Sequence, residues 1–152
     1  MLNKDFKEFV ELLNSIGVEY LIVGGYALAA HGHPRYTGDL DIWIRSSPSN
    51  VERLLDVLAR FGFGGLGLKA EDFLKPESIV QLGYPPSRID LLTSIDGVDF
   101  DMSYARRVIM NVAGVDLPII GVDEFRTNKR AVGRAKDLAD LESLDGPGKA
   151  GS

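Results

Sequence analysis

Residues 21–44 read LIVGGYALAAHGHPRYTGDLDIWI and contain the features that decide the fold. An apolar run and a paired glycine come first, and an acid-apolar-acid alternation follows at Asp39-Leu40-Asp41. Because side chains alternate between the two faces of a strand, both carboxylates should point the same way. Neighbouring carboxylates repel one another unless a cation lies between them, so the stretch predicts a divalent-metal site at a strand end.

Gly24 and Gly25 follow the apolar run and precede YALAAH at 26–31, a segment rich in helix formers. Paired glycines most often form only a tight turn. The functional alternative is that backbone without side chains lets amide groups approach a phosphate at a helix N-terminus, where the helix dipole favours an anion. The segment matches neither a Walker loop nor the G-x-G-x-x-G dinucleotide motif, so phosphate binding here would be of another type.

A third isolated acid, Asp90, lies in the strand-like run RIDLLTS at 88–94. If this strand pairs beside residues 39–44, three carboxylates converge on one side of the sheet. Such a trio can hold two Mg²⁺ ions about 3.5–4 Å apart, with Mn²⁺ as a possible substitute. The predicted metal ligands and catalytic residues are therefore Asp39, Asp41 and Asp90, and the chemistry that they suit is phosphoryl or nucleotidyl transfer.

We interpret the chain as a single α+β domain over residues 1–145, with a mixed, mostly antiparallel sheet flanked by helices, and the periodicity of the sequence predicts its elements. Helices are predicted at 4–15, 26–31, 51–61 and 136–144, with a further helical region that starts at 122 and breaks near 133. Strands are predicted at 18–23, 39–44, 79–82, 88–94, 108–113 and 115–120. We expect a surface loop with one turn of helix at 62–76, and a disordered tail over 146–152.

The composition is that of a soluble globular protein. The 152 residues are 45% hydrophobic and 26% charged, which is enough apolar surface for one core without disulfides. The absence of cysteine excludes thiol nucleophiles and cysteine-based zinc sites, and the net charge of −5 disfavours a general nucleic-acid binder. No membrane span or secretory signal is visible, so a cytoplasmic location is expected.

Two histidines and a tryptophan near the acidic strand are interpreted as structural residues. A zinc site made of His31, His33 and Asp39 would be incomplete, and the glycine between the histidines gives it no fixed geometry. Helix termination and loop anchoring are the preferred interpretation of the histidines. Trp43 is interpreted as a packing residue on the face opposite the carboxylates.

Basic residues that could contact a phosphate lie in two places. Arg35 and Thr37 precede the acidic strand and are either plain loop residues or phosphate contacts. Later in the chain, basic side chains follow helical spacing unless Gly133 breaks it, at Arg126, Lys129, Arg130 and Arg134. Such a run is usually a solvated face. In an acidic protein a basic strip is less expected, so Lys129 and Arg134 are candidates to neutralise a triphosphate.

Together these motifs resemble the nucleotidyltransferase superfamily of the DNA polymerase beta type. Its members carry a glycine-rich turn, then an acid-apolar-acid strand, and later a third acid on a neighbouring strand. The segments 31–41 and 129–141 look like those of a small bacterial branch related to the AbiEii-type toxins of abortive-infection systems. The resemblance covers roughly residues 17–144, whereas such toxins usually carry a large additional C-terminal region that contributes to the acceptor site.

The resemblance implies a role for each motif. Asp39 and Asp41 would bind both metal ions, and Asp90 would bind the catalytic metal and assist deprotonation of the acceptor hydroxyl. Gly24 and Gly25 would hold the nucleoside triphosphate. In addition, Asp137 would orient a basic residue of the nucleotide site.

The function that this resemblance implies is Mg²⁺-dependent transfer of a nucleoside monophosphate from an NTP to an acceptor hydroxyl, with release of pyrophosphate. The acceptor could be a small molecule, a protein or a tRNA, and the acidic net charge favours the first two. Two alternatives stay open at this point. One is a non-catalytic, antitoxin-like member that works with a cognate toxin or antitoxin protein, and the other is a nucleotide-binding sensor.

Overall fold

A computed structural model of the protein describes residues 2–33 and 38–144, so Arg35, Thr37 and the predicted tail lie outside the described residues. Its helices are α1 (Lys4–Ile16), α2 (Gly24–Ala30), α3 (Pro48–Arg60), α4 (Glu71–Leu74), α5 (Phe100–Ala105), α6 (Val122–Val132) and α7 (Ala135–Leu144). Its strands are β1 (Tyr20–Val23), β2 (Asp39–Ile44), β3 (Ile79–Leu82), β4 (Arg88–Leu92), β5 (Val108–Val112) and β6 (Val115–Ile119). In the described part of the chain, no helix combines the length and apolarity that crossing a membrane requires.

The described strands form one mixed sheet in the order β3-β4-β2-β1-β6-β5. Among these strands the pairs β1–β2, β3–β4 and β5–β6 are antiparallel, whereas β2–β4 and β1–β6 are parallel. The predicted fold class, an α+β protein with a mixed, mostly antiparallel sheet flanked by helices, is therefore confirmed. The parallel pair β2–β4 is the one that positions the acidic residues.

Helix α1 shows how local sequence and packing agree. Asn3 caps its start, because the side-chain oxygen accepts the backbone N–H of Phe6 at 2.9 Å. Gly17 ends it with φ 83°, a left-handed conformation that glycine adopts without steric cost. Between the two caps, one helical face is fully buried at Phe6, Phe9, Val10 and Leu13. The predicted amphipathic helix at 4–15 is thus present and packs on the core.

Strand β2 divides its side chains between core and site. Leu40, Ile42 and Ile44 are fully buried, as the alternation predicts. Trp43 is also buried and packs edge-to-face on Phe100, with ring centroids 5.1 Å apart. The packing role of Trp43 is confirmed, but the expected face was wrong, because residues two apart on a strand share a face and Trp43 therefore lies on the side of the carboxylates.

Several element boundaries differ from the predictions. Helix α2 begins at Gly24 instead of residue 26, and its first backbone N–H groups have no intrahelical acceptor. The strand predicted at 88–94 ends at Leu92, and the strand predicted at 18–23 begins at Tyr20. Helix α5 was not predicted. It is only six residues long, and its visible signal is the capping side chain of Asp99.

A buried asparagine stabilises β1 and β2 at the end that lies opposite to the acidic residues. The Asn50 side chain is fully buried at the start of α3. Its oxygen accepts the Glu19 backbone N–H at 2.7 Å, and its nitrogen donates to the backbone carbonyls of Glu19 at 3.0 Å and Arg45 at 2.9 Å. Glu19 precedes β1 and Arg45 follows β2, so one side chain joins a helix to two strands.

We expect Asn50→Ala to lower the free energy of unfolding by about 2–4 kcal/mol, because it leaves buried backbone groups without partners. Urea denaturation followed by circular dichroism would measure the loss. The control is Ser49→Ala, an exposed neighbour on the same helix, which should change stability by less than about 0.5 kcal/mol. Equal effects of the two substitutions would contradict the role of Asn50.

Candidate functional site

Two parallel strands bring the predicted carboxylates together. In the β2–β4 register Asp41 lies directly opposite Asp90, and Asp39 lies directly opposite Arg88. Asp39 and Asp41 share a face of β2 because they are two residues apart, and the same holds for Arg88 and Asp90 on β4. Asp90 is only 8% exposed, whereas Asp39 and Asp41 are partly exposed. The structure therefore places the three predicted catalytic acids on adjacent strands at one end of the pair.

Arg88 lies among these carboxylates and was not predicted as a site residue. Its guanidinium donates to Asp39 Oδ2 at 2.6 Å and to both carboxylate oxygens of Asp90 at 3.1 Å. The sequence did contain a signal, because an arginine two residues before Asp90 must share its face of the strand. What the sequence could not show was the register that sets Asp39 opposite this arginine.

The donor chemistry of this acidic group suits a hard divalent cation, since carboxylate oxygens are the ligands that Mg²⁺ and Mn²⁺ prefer. In the arrangement that the structure describes over 2–33 and 38–144, no three His, Cys, Asp or Glu side chains converge closely enough to hold a metal ion. The guanidinium of Arg88 bridges Asp39 and Asp90 instead. The three carboxylates fit a metal by residue type and strand position, but Arg88 contacts the oxygens of Asp39 and Asp90 that the metal would need.

Asp41 carries the electrostatic cost of the arrangement. Burial raises the pKa of its carboxyl to about 6, and the negative charges of Asp90 and Asp39 act in the same direction. Lys129 and Lys136 oppose the rise. A carboxylate that is disfavoured by burial and by like charge gains stability from any cation that binds to it.

Gly24 is in direct contact with Asp41. A Cβ atom at this glycine would lie 2.2 Å from Asp41 Oδ2, 3.1 Å from Cγ and 3.2 Å from Cβ of the same residue. Gly24 also has φ 69°, which a residue with a side chain adopts only at a cost. Glycine is therefore required here to let the carboxylate rest against the start of α2. Gly25, the next residue, is buried inside that helix.

A cleft of about 470 Å³ opens beside the carboxylates. Five predicted site residues line it, namely Gly24, Asp41, Asp90, Lys129 and Arg134. Five unpredicted residues add polar groups to its wall, namely Glu77, Ser94, Asp96, Asn128 and Lys136. The cleft thus joins the acidic strand ends to a basic wall supplied by α6 and α7.

Lys129 is held more tightly than a surface lysine. It is 7% exposed, and its ammonium group lies 3.2 Å from Asp137 Oδ1 and 3.3 Å from Asp140 Oδ2. Asp137 and Asp140 are themselves buried, so the three side chains compensate one another away from water. The alternative of a solvated face does not describe Lys129, which faces inward, and Gly133 ends α6 and breaks the helical spacing before Arg134.

Asp137 connects the buried network to Arg134. It accepts the Arg134 backbone N–H at 3.1 Å and Nε at 2.7 Å, while Arg134 remains largely exposed. Although burial opposes its ionisation, hydrogen bonds from Arg134 and Lys129 hold the pKa of Asp137 below its usual range. Asp137 thus contacts both basic residues, and its role in orienting one of them for a nucleotide stays a prediction.

The remaining predicted residues are not part of this group. Arg35 and Thr37 lie outside the described residues, so their phosphate contacts stay predictions. His31 caps the end of α2, and its Nε2 lies 2.7 Å from the backbone carbonyl oxygen of Ile120. This contact agrees with the anchoring interpretation of His31 and not with the zinc alternative.

Comparison with known proteins rests on structure, because no protein-family model and no curated protein match the chain. TM1012 from Thermotoga maritima, described as a candidate nucleotidyltransferase, matches with a TM-score of 0.60 and 14% identity, covering 91% of this chain and 88% of its own. The lincosamide antibiotic adenylyltransferase LnuA, solved with lincomycin, matches with a TM-score of 0.57 and 12% identity, covering 95% of this chain and 96% of its own. An antigenic nucleotidyltransferase-like protein from Paracoccidioides brasiliensis matches with a TM-score of 0.54 and 16% identity, covering 92% of this chain and 72% of its own. The chain has the nucleotidyltransferase fold.

The nucleotidyltransferase fold agrees with the resemblance drawn from the sequence. The match extends over at least nine-tenths of this chain in each case. The narrower resemblance to AbiEii-type toxins stays a prediction, because none of the three structures carries that description.

We expect Asp41→Asn to stabilise the metal-free protein by about 1–3 kcal/mol at pH 7.5, because it removes a buried charge that its neighbours repel. The sign follows from the raised pKa of Asp41. Between pH 4 and about 6 the folded state keeps a proton that the unfolded state has lost, so wild-type stability falls as pH rises through this range. The gain should therefore be largest above pH 6 and small near pH 4.

Urea denaturation in EDTA at pH 7.5 and pH 4.5 would measure this gain. Asp56→Asn is the matched control, since Asp56 forms an exposed i,i+4 pair with Arg60 and should change stability by less than about 0.5 kcal/mol. Destabilisation by Asp41→Asn at pH 7.5 would show that the carboxylate is not under electrostatic strain.

Proposed function

We propose that the protein is a metal-dependent nucleotidyltransferase that moves a nucleoside monophosphate from an NTP to an acceptor hydroxyl and releases pyrophosphate. One observation carries the proposal. On the nucleotidyltransferase fold, Asp39, Asp41 and Asp90 lie together on β2 and β4, and a cleft lined by two of them, Asp41 and Asp90, extends to Lys129 and Arg134. Such a transfer requires carboxylates that bind a cation and positively charged side chains that bind phosphates.

The acids supply the catalytic half of the site. Asp39 and Asp41 would hold two Mg²⁺ ions, or Mn²⁺ in their place, and Asp90 would be a further ligand. When bound, the ions lower the pKa of the attacking hydroxyl and neutralise charge that develops on the leaving oxygens. Asp90 faces Asp41 across the strand pair and accepts the proton of the acceptor hydroxyl. Attack is in line on the α-phosphorus, and pyrophosphate leaves on the opposite side.

The helices supply the nucleotide half. Backbone amides at the start of α2, at Gly24 and Gly25, contact the triphosphate, and Gly24 also lies on the cleft wall. Arg134 and Lys136 are exposed on the cleft wall and neutralise the negative charge of the triphosphate. Lys129 lies behind them. Asp137 fixes the Arg134 side chain in place. Arg35 and Thr37, which precede β2 in the sequence, stay predicted phosphate contacts.

ATP and a small hydroxylated molecule are the first substrates to test. LnuA, which has the same fold over 95% of this chain, is described as an adenylyltransferase of lincosamide antibiotics. The net charge of −5 also disfavours a tRNA acceptor relative to a small molecule or a protein. The base preference and the acceptor are therefore matters for an assay that offers all four nucleotides.

The decisive assay incubates the protein with each α-labelled NTP, Mg²⁺ and a cell extract, and follows label on small molecules, proteins and RNA separately. We expect transfer that Asp90→Asn reduces by about 10²–10⁴-fold, because the proton acceptor is lost. The control Asp56→Asn, remote from the cleft, should transfer normally. Nucleotide binding without transfer of label to any fraction would contradict the transferase proposal and support the nucleotide-binding sensor.

The contact between Gly24 and Asp41 generates a second test. Gly24→Ala must push the Asp41 carboxylate aside, so Mn²⁺ affinity should fall about tenfold or more, as for other residues that orient a metal ligand. Gly17→Ala is the control, because Gly17 has a similar φ of 83° with nothing within 4 Å of an added Cβ. Both substitutions should cost about 1 kcal/mol of stability through backbone strain, measured by urea denaturation. Unchanged Mn²⁺ binding in Gly24→Ala, followed by electron paramagnetic resonance, would contradict Asp41 as a ligand.

A further inference from the structure

Arg88 takes up the position among the carboxylates that a cation would fill. Its guanidinium reaches Asp39 Oδ2 at 2.6 Å with NH2, and Asp90 Oδ1 and Oδ2 at 3.1 Å with Nε and NH2. The side chains of Asp39 and Asp90 are 33% and 11% exposed, so neither carboxylate is fully solvated. One guanidinium therefore bridges two of the three acids in the proposed metal site.

The bridge reduces the electrostatic repulsion among the three acids. Asp39, Asp41 and Asp90 place three like charges on two neighbouring strands, and partial burial weakens the screening that water would provide. A guanidinium is suited to the position because its planar donors match two carboxylates at once. The same geometry makes Arg88 a competitor of any ion that needs the oxygens of Asp39 and Asp90.

We propose that Arg88 is the built-in counter-cation of the metal-free site, and that its guanidinium must leave Asp39 and Asp90 before a divalent ion binds them. Arg88 thereby lowers the affinity of the protein for free metal. This inference rests on the proposed function only in taking Asp39, Asp41 and Asp90 as metal ligands.

The fold lets the side chain move while the strand stays fixed. Arg88 is the first residue of β4, and the backbone of β4 is held by β2 on one side and β3 on the other. The Arg88 side chain is 29% exposed, so the guanidinium has a path to solvent. Displacement therefore needs rotation of one side chain and no rearrangement of the sheet.

The competition couples the metal to the nucleotide. A free ion must replace Arg88 and leaves the guanidinium without its two carboxylates. An ion that arrives with a triphosphate brings anionic oxygens to which the displaced guanidinium can turn. Arg88 thus disfavours occupancy of the site by metal alone and favours joint entry of metal and nucleotide, which is a positive coupling between two ligands.

Mn²⁺ titration without nucleotide, followed by electron paramagnetic resonance, tests the proposal with Arg88→Gln. Removal of the guanidinium should raise Mn²⁺ affinity about tenfold at low ionic strength, and added salt should reduce the gain. Melting in EDTA should occur at a lower temperature than for wild type, and saturating Mn²⁺ should recover the loss. Arg45→Gln is the matched control, because Arg45 also bridges two carboxylates, Glu19 and Asp101, away from the site.

Arg45→Gln should lower the melting temperature without changing Mn²⁺ affinity. If Arg88→Gln does not fold, Arg88→Lys is used, since an ammonium cannot bridge both acids and should give an intermediate rise in affinity. Unchanged or weaker Mn²⁺ binding in the folded variant overturns the proposal. The readout is independent of group transfer, so a protein that transfers no label can still show the rise, and an active enzyme can fail to show it.

Discussion

The parallel pairing of β2 with β4 places Asp41 opposite Asp90, and the site depends on that register. The register is not chosen by the acids, which repel one another. It is fixed by the residues between them, since Leu40 and Ile89 are paired and buried, and a slip of one position would expose them. Hydrophobic packing on one side of the sheet therefore supplies the free energy that holds like charges together on the other. Nearby positive groups moderate the repulsion, from Arg88 within the cluster to Lys129 and Lys136 at greater range.

The site combines local and distant parts of the chain. Gly24 and Asp41 meet because α2 follows β1 directly and β1 pairs with β2, so this contact is secured by neighbouring segments. The basic wall arrives from the other half of the sequence, where α6 and α7 fold back on each other beside β4. Asn50 stabilises the opposite end of the β1–β2 pair, well away from the cleft. Stability and chemistry are thus concentrated at different ends of the same two strands.

Periodicity was sufficient to predict β2, because the alternation of acids and apolar residues at 39–42 is typical of a half-buried strand. The fold class followed from the same patterns. Arg88 was missed because its meaning depends on a partner 49 residues away, and such a pairing is invisible in the local pattern. The burial of Lys129 was missed because a lysine flanked by charges normally faces water. The carboxylates that compensate the charge of Lys129 lie on α7, which packs against α6. The local sequence pattern does not predict that contact.

The ion network around Lys129 also makes the last described helix a reporter. Lys129 belongs to α6, but Asp137 and Asp140 belong to α7, so the basic wall is intact only while α7 stays docked. Undocking would expose two buried carboxylates and free a lysine, which makes the opening cooperative. Elements at the periphery of a domain open more readily than the core, and ligands that need the closed form suppress such openings. Amide hydrogen exchange along α7 would then slow when an anion fills the cleft, so that occupancy becomes visible in a helix that contributes no predicted metal ligand.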